Sequence, residues 1–80
     1  MKIGVKILPR PEVLDSQGRA VAKTLSDHGK PVTQCRVGKY IEIDVEQTDE
    51  SAALLKVKEL ADFVLYNPLI ETYELEVVSK

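Results

Sequence analysis

The sequence predicts an α+β fold: a two-layer βαββαβ sandwich in which two helices cover one face of a four-stranded, mostly antiparallel sheet. Three observations carry that prediction. Apolar and polar residues alternate at residues 2–7, 40–46 and 72–77, the period-two mark of strands with one wet face. After Asp15 and again after Thr48 the apolar residues recur at three-to-four spacing instead, as amphipathic helices require. Proline, glycine and asparagine separate the stretches, at Pro9-Arg10-Pro11, Gly29, Gly38 and Asn67-Pro68.

In the first strand Ile3, Val5 and Ile7 alternate with Lys2, Gly4 and Lys6. Pro9 and Pro11 end it, since proline donates nothing to a ladder and restricts the residue before it. Asp15 offers the short acceptor of a helix N-cap. The helix that follows is expected to bury Val21 and Leu25 with Ala20 beside them, and His28-Gly29 closes it in the left-handed conformation that glycine tolerates. Residues 31–47 read as two strands around Gly38-Lys39. A two-residue loop there would place apolar opposite polar residues on both faces. An odd loop or a bulge pairs Val37 with Ile41, Cys35 with Ile43 and Thr33 with Val45, and this register is the expected one. Ile41, Ile43 and Val45 then face inward, and Glu42, Asp44 and Glu46 outward.

Thr48-Asp49-Glu50-Ser51 starts the second helix, with a capping hydroxyl and acidic residues at the positive end of the dipole. Leu54, Val57, Ala61, Val64 and Leu65 form its apolar stripe, opposite Lys56, Glu59 and Asp62. Asn67-Pro68 stops it. Tyr73, Leu75 and Val77 alternate with Thr72, Glu74 and Glu76 in a last strand.

Eighty residues allow one domain, residues 1–80, with a thin core worth about 3–5 kcal/mol net, so self-association is the expected stabiliser. No apolar run approaches the ~20 residues of a membrane span, and the first residues lack a signal-peptide pattern, which makes the cytoplasm the expected compartment. Net charge is −2, less basic than phosphate neutralisation on nucleic acid demands. The charge is uneven: residues 1–40 carry eight Lys/Arg and three Asp/Glu, residues 41–80 three and ten. Because charged and apolar residues alternate, these are read as solvated faces of regular elements.

Candidates for chemistry are few. Cys35 is the one possible nucleophile, but the register above turns it inward, and nothing adjacent in sequence stabilises a thiolate. His28 is the single histidine, which excludes multi-histidine metal sites and suits a helix terminus. Glu42, Asp44 and Glu46 have the pattern of a solvated strand face, with Lys2 or Lys6 across from them if the two strands are neighbours. Gly18 stands out, since glycine in a first helical turn costs roughly 0.5–1 kcal/mol relative to alanine. It marks either tight local packing or a partner's close approach. Gly38-Lys39-Tyr40 is either a plain turn or a cationic and aromatic tip. There is no phosphate loop of the Gly-x-x-x-x-Gly-Lys type, and 5% aromatic content leaves no stacking platform for RNA. No catalytic or metal residues are assigned.

Four segments in order carry a family resemblance. They are Val13-Leu14-Asp15-Ser16-Gln17-Gly18-Arg19-Ala20-Val21, then Arg36-Val37-Gly38-Lys39-Tyr40-Ile41-Glu42, then the second helix ending in Asn67-Pro68, and last Ile70-Glu71-Thr72-Tyr73-Glu74. Together they resemble the PurS-type small subunit of phosphoribosylformylglycinamidine (FGAM) synthase over essentially the whole chain. Ser16 stands where that family often has proline, and Pro11 where it often has glycine. The resemblance implies a non-catalytic subunit of a glutamine-hydrolysing, ATP-dependent carbon–nitrogen ligase of purine biosynthesis. It would bridge a glutaminase (PurQ-type) and a large synthetase (PurL-type) subunit, support ammonia transfer and form a dimer or higher homo-oligomer. ATP and magnesium would serve the complex, with no cofactor held by this chain, and no nucleic acid or membrane would be involved. Asp15, Gln17, Gly18, Arg19, Gly38, Lys39, Tyr40, Asn67 and Pro68 are the interface residues it points to. An ACT-like ligand-sensing module shares the element order and is the alternative. An acylphosphatase-like enzyme would need an anion-cradling loop around its arginine, and Arg10 lacks the glycines for one.

Overall fold

Strand β1 (Lys2–Pro9) is the centre of the molecule, flanked on both sides by antiparallel partners. A computed structural model describes residues 1–79. After β1 come helix α1 (Ser16–Asp27), strand β2 (Lys39–Asp44), helix α2 (Glu50–Leu60), a π-helical turn at Ala61–Leu65 and strand β3 (Glu71–Ser79). The sheet order is β2-β1-β3. Ile3, Val5 and Ile7 oppose Ile43, Ile41 and Lys39 on one side, and Val77, Leu75 and Tyr73 on the other. Alternation therefore places Ile3, Val5 and Ile7 on one face with Ile41, Ile43, Tyr73, Leu75 and Val77, where Ala53 and Val57 of α2 complete the core.

The expected α+β character and antiparallel sheet are present, but among the described residues the sheet has three strands rather than four. Residues 31–37 form no strand, so the hairpin pairing Val37 with Ile41 and Cys35 with Ile43 does not exist. The physical reason is local. Asp15 Oδ2 accepts the Val37 N–H at 2.8 Å, which removes a donor that a ladder would need. Arg36 Nη2 also donates to the Pro9 carbonyl, tying the segment across the end of β1. β2 instead pairs directly with β1.

Helix α1 also departs from expectation. Its N-cap and C-cap are as expected: Asp15 Oδ1 accepts from Gly18 N at 2.9 Å, and Gly29 has φ +75°. Gly29 N donates to Ser26 O and Lys30 N to Leu25 O, the paired bonds of a Schellman ending. His28 Nδ1 lies 2.8 Å from the Thr24 carbonyl oxygen, the helix-end role expected of it. Yet α1 does not lie on the sheet. Gly18 is its one buried residue, and Val21 is 43% exposed. Three strands at about 4.8 Å spacing make a face roughly 10 Å wide, the width of one helix. α2 fills it. The molecule is accordingly elongated, 47 × 26 × 14 Å with a radius of gyration of 15.7 Å, against about 12 Å for a compact chain of this length.

α2 is capped by the carboxylate of Asp49, which accepts from Ala52 N at 3.0 Å, rather than by a hydroxyl. Leu54, Val57, Ala61 and Leu65 meet the core as expected, but Val64 is 71% exposed. The π-helical turn explains this. It adds a residue to the turn, so after Ala61 the inward positions are Leu65 and Tyr66. Tyr66 packs edge-on to Tyr73, ring centroids 4.6 Å apart. Tyr73 in turn donates its hydroxyl to Asp62, which also takes Lys58.

The open face of the sheet is polar. Glu42 and Asp44 are exposed, and β1 and β2 are neighbours with Lys2 across from Asp44 as expected, but the ion pairs take another course. Lys6 Nζ pairs with Glu76 of β3 at 3.0 Å, and Asp44 lies 3.5 Å from the N-terminal amine.

Candidate functional site: the end of the sheet and the start of the first helix

The residues singled out by sequence come from three separated segments, and the fold gathers most of them at one end of the sheet. There β1 finishes and β2 and β3 begin, with Ile7 opposite Lys39 and Pro9 opposite Glu71. The Asn67-Pro68 turn is closed from within: Asn67 O accepts from Ile70 N and Glu71 N, and Asn67 Oδ1 from Leu69 N. Arg10 Nε and Nη2 both donate to the Pro68 carbonyl, at 3.0 and 2.7 Å, which pins that turn to the end of β1. Lys39 Nζ reaches Glu71 Oε2 at 3.6 Å. Asn67, Pro68, Gly38, Lys39, Gln17 and Arg19 are all exposed at this end or on the adjoining α1.

Asp15 does more than cap. Its two oxygens take Gly18 N from the helix and Val37 N from a segment some twenty residues on. These two backbone N–H bonds, Gly18 first, hold the carboxyl below the usual carboxylate range. A folded-state pKa below the unfolded value stabilises the fold above about pH 4, and that contribution disappears as pH falls through the folded value. An asparagine in its place would turn its NH2 toward one of the two donors. Asp15→Asn is therefore expected to lower Tm by several degrees at neutral pH and to flatten the loss of stability on acidification. Thermal melts across the neutral-to-acid range test this; an acid limb as steep as wild type would contradict it.

Gly18 has a local explanation. A β-carbon there would collide with the Cys35 carbonyl oxygen and stand 2.6 Å from Asp15 Oδ2. Of the two readings, close packing within the chain is the one observed. Gly38 is not a hairpin turn; it is pressed against the Ile7 carbonyl, where no β-carbon fits. Tyr40 likewise is no loop tip. It lies in β2 on the open face, its ring over Gly4 and its hydroxyl donating to Glu76 Oε1 at 3.0 Å. Desolvation and the neighbouring Glu76 raise its pKa, while bonds from Lys6 and Tyr40 keep Glu76 ionised. Gly4 passed in the sequence as one residue of an alternating strand; the signal was there, because glycine inside a strand marks a close approach. Cys35, expected inward on a strand, is half-buried in the irregular segment. It lines a cleft of about 210 Å³ with Arg10, Asp15, Arg19 and Arg36. Arg10 was set aside on sequence for want of glycines and Arg36 stood only within a motif; their convergence depends on contacts far apart in the chain.

Among the described residues no three His, Cys, Asp or Glu side chains are grouped to hold a metal, and no helix is long and apolar enough to cross a membrane.

The family model for PurS, phosphoribosylformylglycinamidine (FGAM) synthase, matches residues 2–79. The chain belongs to the PurS family. It is 41% identical to the FGAM synthase subunit PurS of Synechocystis, over 88% of this chain and 71% of that one. Against PurS of Bacillus subtilis the identity is 39%, over 95% and 90% of the two chains. In three dimensions it is similar to the PurS subunit of Thermotoga maritima, EC 6.3.5.3, with TM-score 0.87 and 32% identity, covering 94% of this chain and 87% of that one. The family resemblance carried by the four segments is thus borne out along the chain. This PurS-family chain is a subunit of FGAM synthase, a ligase complex of purine biosynthesis.

Proposed function

We propose that the chain is the non-catalytic bridging subunit of FGAM synthase, joining a glutaminase (PurQ-type) to a large synthetase (PurL-type) subunit in the cytoplasm. The observation that carries this reading is the gathering of the resemblance-bearing segments at one end of the sheet. Gln17, Arg19, Lys39 and Asn67 present exposed polar side chains there, and nothing among them forms a nucleophile–base pair. The chain's contribution is placement. Holding two active sites in fixed relation raises the effective concentration of ammonia from one at the other, while ATP, magnesium and glutamine are handled by the partner subunits.

Self-association belongs to the same reading. Among the described residues six apolar side chains are fully buried, and both outer strands have open edges. The face of α1 bearing Val21 and Leu25, with a shallow groove of about 250 Å³, has no cover within the described residues. A second copy of the chain is the occupant proposed for it.

The test is reconstitution with glutaminase and synthetase subunits. Wild type should assemble and should sediment alone as at least a dimer. Arg19→Glu combined with Lys39→Glu, once shown to fold, should lower glutamine-dependent turnover about ten-fold or more, the scale of a lost interface hot spot. Turnover with added ammonia should fall less. Wild-type assembly and coupling in the folded variant would move the interface elsewhere on the domain.

A further inference from the structure

All three arginines of the chain, Arg10, Arg19 and Arg36, line the same cleft. They come from three segments: the stretch after β1, the start of α1 and the stretch before β2. Among the described residues the ion pairs are made by lysines and the N-terminal amine, never by an arginine. Arg10 and Arg36 donate to the Pro68 and Pro9 carbonyls, which orient a guanidinium without neutralising it. Arg19 has no side-chain partner among the described residues. Asp15, the one carboxylate lining the cleft, gives both oxygens to backbone N–H groups.

Three guanidinium charges against one carboxylate leave a formal excess of two positive charges in a half-enclosed space. We propose that this cleft binds the phosphate group of a small phosphomonoester. A phosphomonoester carries about −1.5 to −2 at neutral pH and matches that excess, whereas a lone carboxylate leaves one guanidinium unmatched. Guanidinium forks bind phosphate oxygens in pairs, and groups already oriented lose little freedom in doing so. The volume, about 210 Å³, is several times the ~30 Å³ share of a water and below the roughly 300 Å³ that begins to enclose a drug-sized ligand. The phosphate enters; the rest of the ligand lies across the rim, where Leu14 is 68% exposed. This site shares Arg19 with the surface proposed for bridging, so it is tested on the chain alone, where no partner subunit contributes.

The experiment is a titration of the full, isotopically labelled chain at neutral pH with inorganic phosphate, with ribose 5-phosphate, and with sodium chloride at matched ionic strength. Amide shifts should saturate with both phosphates, centred on residues 10–19 and 34–37, and not with chloride. The sugar phosphate should bind at least as tightly as phosphate itself. Arg19→Gln removes a side chain that holds nothing in the fold and should weaken both about ten-fold or more, as expected for one charge-assisted pair. Arg19→Lys, which keeps the charge without the fork, should fall between. Shifts that follow ionic strength alone, or saturable binding unchanged in Arg19→Gln, would overturn the proposal.

Discussion

Ile3→Ala is expected to leave most of the chain unfolded at room temperature. Ile3 is completely buried, on the central strand, with Ile43 on one side and Val77 on the other. Removing three carbons from such a site costs about 2–5 kcal/mol, transfer and cavity together. A chain of this size has about 3–5 kcal/mol in total, so one substitution consumes most of it. Urea unfolding followed by circular dichroism measures the loss. Leu14→Ala, at a position 68% exposed, is the control and should stay within about 0.5 kcal/mol of wild type. A loss below about 1 kcal/mol at Ile3 would mean that the stability resides elsewhere, and a midpoint rising with protein concentration would place it between subunits.

The second large effect is expected at Gly18. Alanine is the better helix former by roughly 0.5–1 kcal/mol, so propensity alone predicts a gain. Packing predicts the reverse. The added carbon meets the Cys35 carbonyl, a backbone atom that cannot swing aside as a side-chain tip can, and overpacking of this kind costs about 1–3 kcal/mol or more. Packing wins, and the strap formed by residues 34–37 should come away from α1. Limited proteolysis should then cut between residues 28 and 38 in Gly18→Ala well before wild type, with the α2-covered sheet surviving. An unchanged or slower digestion would contradict this. Gly18→Leu exaggerates the same collision, so loss of assembly in that variant would report on folding before it reported on a partner. Arg19 is the cleaner probe.

The elements legible in the sequence were those whose pattern is local. Ile3, Val5 and Ile7, then Ile41, Ile43 and Val45, then Tyr73, Leu75 and Val77 each declared a strand and its inward face. Asp15 and Gly29 declared the ends of α1, and Asn67-Pro68 the turn before β3. What failed was pairing and placement. Residues 31–37 have enough apolar content for a strand, yet one hydrogen bond from Val37 to Asp15 commits them elsewhere. The apolar stripe of α1 says that something covers it, and it does not say whether that is the chain's own sheet. The same limit governed the site. The interface segments were visible as motifs, but Tyr40 proved to lie on the open face of the sheet, over Gly4. The arginine cleft needed Arg10, Arg19 and Arg36 to meet in space.

The strand order has a consequence for the birth of the molecule. β1 precedes α1, β2 and α2 in the chain while one of its partners, β3, follows them all, so that Ile3 waits for Val77. Pairings so far apart in sequence are slow, because closing so long a loop comes before any contact rewards it. Until β3 has left the ribosome, β1 carries an apolar face and at least one open edge, the state in which strands find wrong partners. Lys2 and Lys6 of β1 put charge on that waiting strand and act as its gatekeepers.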